Sequence, residues 1–415
     1  LGSIDMNLTP NETPDVAINN ATALRSLTGV SASTLFYNYP RAFVAPNGRV
    51  FLAGMEKTSR YLDTSGTGAY SIVASSIYGL RAYGSAVMYD RGKVLIVGGA
   101  SSDADATPTN TAEVIDLTSA KPAWRNVAPM AFARRYLNAT LMADGKVLIS
   151  GGSSGSPSED CTGGILPAEI WDPSTETFTT VASMPHYRTY HSTAALLPDG
   201  RVISSGTTSA NGAGCGGIDF KDADFYSPPY LFRGPRPSIT SAPAWISYGQ
   251  RFKVVTPDAA NITKVNLLAF GAVTHHFNFS QRINRVKFGK TKSLLTVIAP
   301  ANPNVCPPGK YMMFILNGAG VPSLAGTLQI GEIKITNPVK GTSVSGSLPI
   351  KTQMAASVRS FQVSIDGVPV GHRTRLPFIW NSASVANGLH TISTAAFGGA
   401  GVQVGSDFIS VLVSN

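Results

Sequence analysis

Histidine is scarce in this chain, with six in 415 residues, so the position of each is informative. His191 follows Tyr190 directly, and a second pair, His275-His276, lies in Val273-Thr-His-His-Phe-Asn-Phe-Ser-Gln-Arg282. Imidazole together with phenolate suits copper(II) in a tetragonal site. Tyr190, His191 and a histidine of the second pair are therefore a candidate metal set. Adjacent side chains on a regular strand point to opposite faces, so Tyr190 and His191 converge on one ion only at an irregular strand start. A plainer alternative stands beside this one: His191 is an aromatic swap in a packed core, and His275-His276 is a surface pair. Three cysteines, Cys161, Cys215 and Cys306, leave at least one unpaired and suit neither a disulfide-dense scaffold nor a zinc site.

The elements that must position these groups are read from an internal repeat. Four segments share an aromatic residue, a small and apolar stretch, a turn glycine and an apolar strand. They begin at Tyr39, Tyr83, Tyr136 and His191, each nine residues before Gly48, Gly92, Gly145 and Gly200. Each reads as a β-hairpin whose glycine supplies a positive φ. A third strand follows in each unit: Ser59–Asp63, Ala112–Asp116, Ala168–Asp172 and Ala223–Ser227. A fourth is visible in Phe178–Ala182. Four antiparallel strands per unit, repeated about every 50 residues, predict an all-β, kelch-type β-propeller with at least four blades in this chain. His191 then stands at the start of the strand nearest the propeller axis.

A proline-rich stretch, Ser227-Pro-Pro-Tyr-Leu-Phe-Arg-Gly-Pro-Arg-Pro237, ends the repeats. Alternating strands beyond it predict two β-sandwiches, which divides the chain into a propeller over 1–232, one sandwich over 233–332 and an immunoglobulin-like one over 333–415. Residues 1–35 read as the tail of an earlier blade, so the expectation is a propeller that starts mid-blade.

Gly and Pro, 41 and 27 residues, leave few stretches for helix and exclude a coiled coil or helical bundle. Formal net charge is +9, but only 14% of residues are charged and no basic run interleaves with aromatics, so a nucleic-acid groove is not expected. No run of 18 apolar residues offers a membrane span. The N-terminus, Leu1-Gly2-Ser3-Ile4-Asp5, does not read as a signal peptide.

Specific segments resemble the galactose oxidase and glyoxal oxidase family of copper radical oxidases. They are Arg188-Thr-Tyr-His-Ser-Thr-Ala-Ala-Leu-Leu-Pro-Asp-Gly-Arg-Val202, Tyr83-Gly-Ser-Ala-Val-Met-Tyr-Asp90, Thr274-His275 with Gln281-Arg282, and Pro307-Pro-Gly-Lys-Tyr-Met-Met-Phe-Ile-Leu-Asn317 with Gly320-Val-Pro-Ser323. The match covers about 20–332, and the final domain resembles a bacterial immunoglobulin-like module. The resemblance implies a seven-blade ring followed by an early-set domain, one copper ion, and oxidation of a primary alcohol, aldehyde or carbohydrate by O2 to give H2O2. It assigns Tyr190 as axial ligand and catalytic base, His191 and His275 as imidazole ligands, and Gln281 and Arg282 as supporting residues. His276 does not fit the family spacing to Gln281-Arg282. A free phenol ionises near pH ~10, so coordination must prepare Tyr190 as a base.

The family's second redox centre, a Tyr thioether-linked to a Cys, has no counterpart here, and Tyr136 is one blade too close to Tyr190 to be that residue. The resemblance thus implies a secreted oxidase whose present chain is inactive by itself, completed by an N-terminal fragment. Cys161 and Cys215 lie in loops leaving equivalent strands of neighbouring blades, which predicts a disulfide; two buried free thiols are the alternative. Six Asn-x-Ser/Thr sequons occur, at Asn7, Asn11, Asn20, Asn138, Asn261 and Asn278. A rival function is a non-catalytic protein whose propeller and immunoglobulin-like surfaces bind carbohydrate or cell wall.

Overall fold

The computed structural model describes residues 12–18, 23–33, 40–102, 107–155, 163–207, 220–373, 377–401 and 403–415. Strands dominate, and helix among the described residues is limited to short 3₁₀ turns. None is long and apolar enough to cross a membrane.

Four successive antiparallel sheets form the propeller blades. The first comprises Ala42–Val44, Val50–Leu52, Thr58–Asp63 and Ala69–Ser75. Ser85–Asp90, Lys93–Val97, Ala112–Asp116 and Arg125–Asn126 make the second. The third contains Arg135–Leu141, Val147–Ser153, Pro167–Asp172 and Thr177–Ser183. In the fourth, Thr193–Leu196, Val202–Ser205 and Ala223–Tyr226 are described. The turn glycines Gly48, Gly92, Gly145 and Gly200 have φ of 84°, 66°, 88° and 84°, the region that disfavours any side chain. A hairpin of Asp15–Ile18 with Ala23–Ser26 precedes the blades, and Leu27 just beyond it packs on Leu52 and Leu62 of the first. Tyr39 and the expected Cys161–Cys215 pairing lie outside the described residues. Cys306 is free and buried.

A repeated ion pair, not expected from the sequence, ties the entry of the second, third and fourth blades to their third strands. Arg81 meets Glu113 at 2.6 Å and Arg134 meets Glu169 at 2.6 Å, all four side chains buried, while Arg188 reaches Asp224 at 2.8 Å. The first two guanidinium groups also donate to glycine carbonyls, Gly98 and Gly151, both at 3.0 Å. The signal was present as an Arg two or three residues before the repeat aromatic and an Ala-Glu or Ala-Asp opening the third strand.

The next unit is a sandwich. Its five-stranded sheet runs Trp245–Ile246, Gly326–Ile330, Gly309–Asn317, Ile262–Ala269 and Ile283–Arg285, and it faces a three-stranded sheet of Arg251–Val255, Leu294–Ile298 and Phe288–Thr291. Their core is Phe252, Val254, Val265, Leu295 and Met313. A further sandwich, of three and five strands, follows from Ile333 around Ile350, Phe361, Val363 and Trp380.

Propeller and first sandwich share one core. Leu141, Met142 and Trp171 of the third blade belong to the same buried cluster as Leu268, Ile283, Met312 and Phe314. Gln281 completes the junction. Its Nε2 donates to the Ala139 carbonyl at 2.6 Å, and its Oε1 accepts from the Leu141 N–H at 2.8 Å. The side-chain amide thus takes the place of a neighbouring strand along the inner edge of the blade. Arg282 donates to the Val44 carbonyl of the first blade at 3.0 Å, and Asn266 to that of Ala143 at 2.9 Å.

Replacing Gln281 with Leu strands one buried N–H and one buried C=O, each costing roughly 1–3 kcal/mol. Urea unfolding of Gln281→Leu is expected to show a loss of about 2–6 kcal/mol. A change within error would show that the amide does not hold the two units together.

Candidate functional site

The site forms where an irregular turn in the fourth blade meets a hairpin from the first sandwich. Ser192 N–H donates to the Thr189 carbonyl at 3.1 Å, closing a turn with Tyr190 and His191 at its centre. The second blade makes the same turn, Gly84 N–H to the Arg81 carbonyl at 3.1 Å, around Ala82 and Tyr83. His191 is therefore equivalent to Tyr83, as the spacing to the turn glycine indicated, and Tyr190 to Ala82. The third residue of such a turn favours glycine because its φ is positive. Here φ is 53° at Tyr83, 60° at Tyr136 and 65° at His191. Because the peptide turns sharply at this point, Tyr190 and His191 need not alternate as strand neighbours do. The third blade holds the turn from beside: Gly152 N–H donates to the Arg188 carbonyl at 2.8 Å, and a Cβ on Gly151 would lie 2.2 Å from that oxygen.

The second contribution is a two-residue hairpin. Val273–Thr274 pairs with Phe277–Asn278, leaving His275 and His276 as the connecting residues. Both have positive φ, 45° and 57°. Two left-handed residues in a row are the requirement of a type I′ turn, where Asn-Gly is the favoured filling. Histidine tolerates the region better than most side chains but still at a cost. The tip is docked on the propeller by His276 N–H, which donates to the Ser192 carbonyl at 2.7 Å, and Asn138 Nδ2 donates to Ser192 Oγ at 2.9 Å.

The result is a cluster in two tiers. The outer, half-buried tier holds Tyr190, His191 and His275. Ring centroids are 4.0 Å apart for Tyr190 and His191, 4.7 Å for His191 and His275, and 5.8 Å for Tyr190 and His275. Three residues from two structural units, distant in sequence, thus share one small volume. Beneath them lies a buried tier of Tyr83, Tyr136 and His276. Tyr83 and Tyr136 are 4.6 Å apart, Tyr136 is 5.3 Å from Tyr190, and His276 is 5.6 Å from Tyr136. His276 is therefore not turned away from the site, as its spacing suggested. The hairpin sends its second histidine down among the tyrosines.

Burial, and then His191, lowers the affinity of His275 for a proton. His276 is held well below the ordinary imidazole range, first by burial and then by Arg41, His275 and His191. Neutral imidazole is the form that ligates a metal. Thr274 Oγ1 hydrogen-bonds His275 Nδ1, which orients the ring. One phenol and two imidazoles, that of His275 oriented by Thr274, fit a copper(II) ion by donor type.

The other histidines lie elsewhere. His372 packs on Phe397, and His390 meets Asp366 at 2.6 Å. His186 forms a group with Asp222 and Asp224 whose ligand atoms lie within 4.8 Å of one another. Arg188 already bridges both carboxylates, at 2.7 and 2.8 Å, and takes the place a cation would need. Two sequon asparagines, Asn138 and Asn278, are buried at this junction.

Comparison with known proteins agrees with the resemblance read from the sequence. Residues 236–330 match the family model described as galactose oxidase-like, early set domain. A galactose oxidase of Gibberella zeae is 33% identical over 318 residues, which is 71% of this chain and 45% of the relative. The aldehyde oxidase GLOX of Vitis pseudoreticulata is 29% identical over 333 residues, 70% of this chain and 62% of the relative. Among solved structures, a fungal alcohol oxidase of the AA5 family in complex with copper superposes with a TM-score of 0.71 at 27% identity, over 77% of this chain and 70% of the other. The chain spans less than two thirds of the length of the two curated relatives. The all-β architecture of propeller and early-set sandwich is the one expected.

Because His276 is neutral in the folded state well below its unfolded pKa, protonation favours the unfolded chain as pH falls below about 6.5. Stability is therefore expected to fall with acidification, at roughly 1.4 kcal/mol per pH unit from this group while only the unfolded form is protonated. Urea unfolding at pH 7, 6 and 5 should show a shallower decline for His276→Gln than for the parent. Parallel declines would show that His276 is not buried as a neutral ring.

Proposed function

We propose that Tyr190, His191 and His275 hold one copper ion, in a secreted oxidase that converts a primary alcohol or aldehyde with O2 to the oxidised product and H2O2. The observation that carries this reading is the meeting of these three rings, with centroids 4.0–5.8 Å apart, on two strained turns from separate units. Backbone strain at such positions persists where the surrounding structure enforces it, and it concentrates at functional sites. Relatives named for galactose and aldehyde oxidation, and a structural neighbour named for alcohol oxidation with copper bound, support the substrate class.

Copper, when bound, supplies a one-electron acceptor and a Lewis acid. The chain's own residues have separable tasks. His191 and His275 offer imidazole nitrogen donors, with the second ring oriented by Thr274. Tyr190 stands in the half-buried tier, where its phenolic oxygen is the group to accept the hydroxyl proton of an entering alcohol. Tyr83, Tyr136 and His276 close the site from below and keep water out. Gln281 and Arg282 act at a distance, by fixing the loop that carries His275.

Two-electron oxidation needs a second acceptor, which in the resembled family is the Cys-linked tyrosine. Cys306 is unsuited to that role. It is buried in the early-set core, where burial first of all pushes its thiol up to about 11. Cys161 and Cys215 lie outside the described residues, in segments that the repeat places after the second strands of the third and fourth blades. We infer that residues 1–415 by themselves bind copper without turning over.

Titration with Cu(II), followed by electron paramagnetic resonance, should reach one ion per chain with nitrogen hyperfine structure. His191→Ala or His275→Ala should weaken binding by about tenfold or more, by analogy with losses seen when a metal's ligand environment is altered, whereas His372→Ala should not. Uptake that ignores both histidine substitutions would refute the site.

With copper and air present, the 415-residue chain should release peroxide from alcohols and aldehydes only at background. Sustained turnover would show that a second redox group is present after all.

A further inference from the structure

A cavity of about 670 Å³ lies between the turns of the second and third blades and the early-set domain, with none of the outer-tier residues in its wall. Ligand sites favour such junctions between structural units. Its charges are mostly paired. Lys146 meets Asp172 at 2.7 Å, and Arg285 meets Asp90 at 2.9 Å. Arg125 is bound to Glu176, and Lys93 approaches Asp116 at 3.9 Å.

Once these pairs are set aside, the wall retains Lys121, Arg233 and Lys264 against a single carboxyl, Asp144. None of the three cations has an ion pair or a side-chain hydrogen bond within the described residues. Asp144 offsets them only in part, being one carboxyl against three cations. The cavity therefore carries a surplus of positive charge.

Its shape adds a second observation. A neighbouring chamber of about 410 Å³ shares Asp144, Lys146, Asp172 and Arg233 with the first. It continues along Thr175, Thr177 and Thr179, the outer strand of the third blade and its turn. Together the two make a trough longer than a single ion needs, cationic at one end and lined by hydroxyls at the other. A chain ligand suits this form better than an isolated anion.

We propose that this trough binds a segment of acidic polysaccharide, a chain of sugars bearing carboxylates. Lys121, Arg233 and Lys264 receive the carboxylates, and the threonine row receives hydroxyls. Single-stranded nucleic acid fits less well, because binding it relies on aromatic faces on which bases stack. The two tyrosines in these walls, Tyr89 and Tyr230, are buried, and Tyr230 is tied by its hydroxyl to the Gly200 carbonyl at 2.5 Å.

The test is calorimetric titration of the 415-residue chain with a defined oligogalacturonate, its fully methyl-esterified form, inorganic phosphate and single-stranded DNA. The free-acid oligomer should bind, with an affinity that falls as salt is raised, and the ester should not. The double variant Arg233→Gln, Lys264→Gln should weaken binding by about tenfold or more with an unchanged melting temperature, both side chains being exposed. Equal binding of acid and ester overturns the proposal, as does a double variant that binds like the parent. Phosphate as tight as the oligomer would mean an adventitious ion only, and DNA as tight as the oligomer would mean a nonspecific cationic surface; either result overturns it as well.

Discussion

Everything at the copper-candidate site depends on one junction, the seating of an early-set hairpin in the open inner edges of the propeller blades. A blade's innermost strand has unpaired backbone groups along its axial edge, and these need partners once buried. Gln281 provides them for Ala139 and Leu141, and His276 N–H provides one for Ser192. Both contacts come from the same short segment, so the bonds that satisfy the blade edges also fix where His275 stands. The shared core of Trp171, Leu141, Phe314 and Met312 makes the junction an interior, not a surface contact between separate domains. A side-chain cluster assembled across such a boundary inherits the rigidity of both sides.

That rigidity is what permits the strain. His191, His275 and His276 all occupy backbone conformations that glycine or asparagine would adopt more readily, and each costs on the order of 1–3 kcal/mol. The buried Arg81–Glu113 and Arg134–Glu169 pairs stand at the equivalent turns of the neighbouring blades. A buried pair of this kind contributes little net stability, yet losing one partner costs about 3–5 kcal/mol. Its role is thus positional: it anchors the chain just before the turn that must bend the wrong way. In the fourth blade the anchor, Arg188, lies three residues before the left-handed position instead of two. The same blade carries Tyr190-His191, where two adjacent side chains face one volume.

Much of this was legible in the sequence for a physical reason. Turn glycines, period-two strands and an aromatic at fixed spacing are local requirements of a blade, and they repeat because the blade does. That equivalence placed His191 at the aromatic position of the repeat, at the start of the strand nearest the propeller axis, while its left-handed backbone became visible only in the structure. The spacing from His275 to Gln281 was also readable, and the structure explains why it matters. Gln281 occupies the blade edge while His275 occupies the hairpin tip, so the residues between them join two fixed contact points on the propeller. The fate of His276 was not legible, because period-two reasoning fails in a turn whose two central residues both have positive φ. The Arg–Glu pairs were overlooked because each partner alone reads as an ordinary surface charge.

The two tiers also separate two demands that a redox-metal site makes on its surroundings. Groups proposed to hold a metal need access from solvent, and Tyr190, His191 and His275 are half-exposed. The floor beneath them must be dry and unable to rearrange, since a mobile floor would let the rings leave the geometry that a metal requires. Three aromatic rings at 4.6–6.0 Å from one another fill that floor without aliphatic gaps. Tyr83 and Tyr136 are there because the repeat places an aromatic at that turn, while His276 is there because its hairpin, seated by its N–H on Ser192, carries the ring down among the tyrosines. The site is therefore built on the repeat of the fold itself. It uses the position that each blade already builds, and it differs only where one blade sets a histidine and a tyrosine side by side.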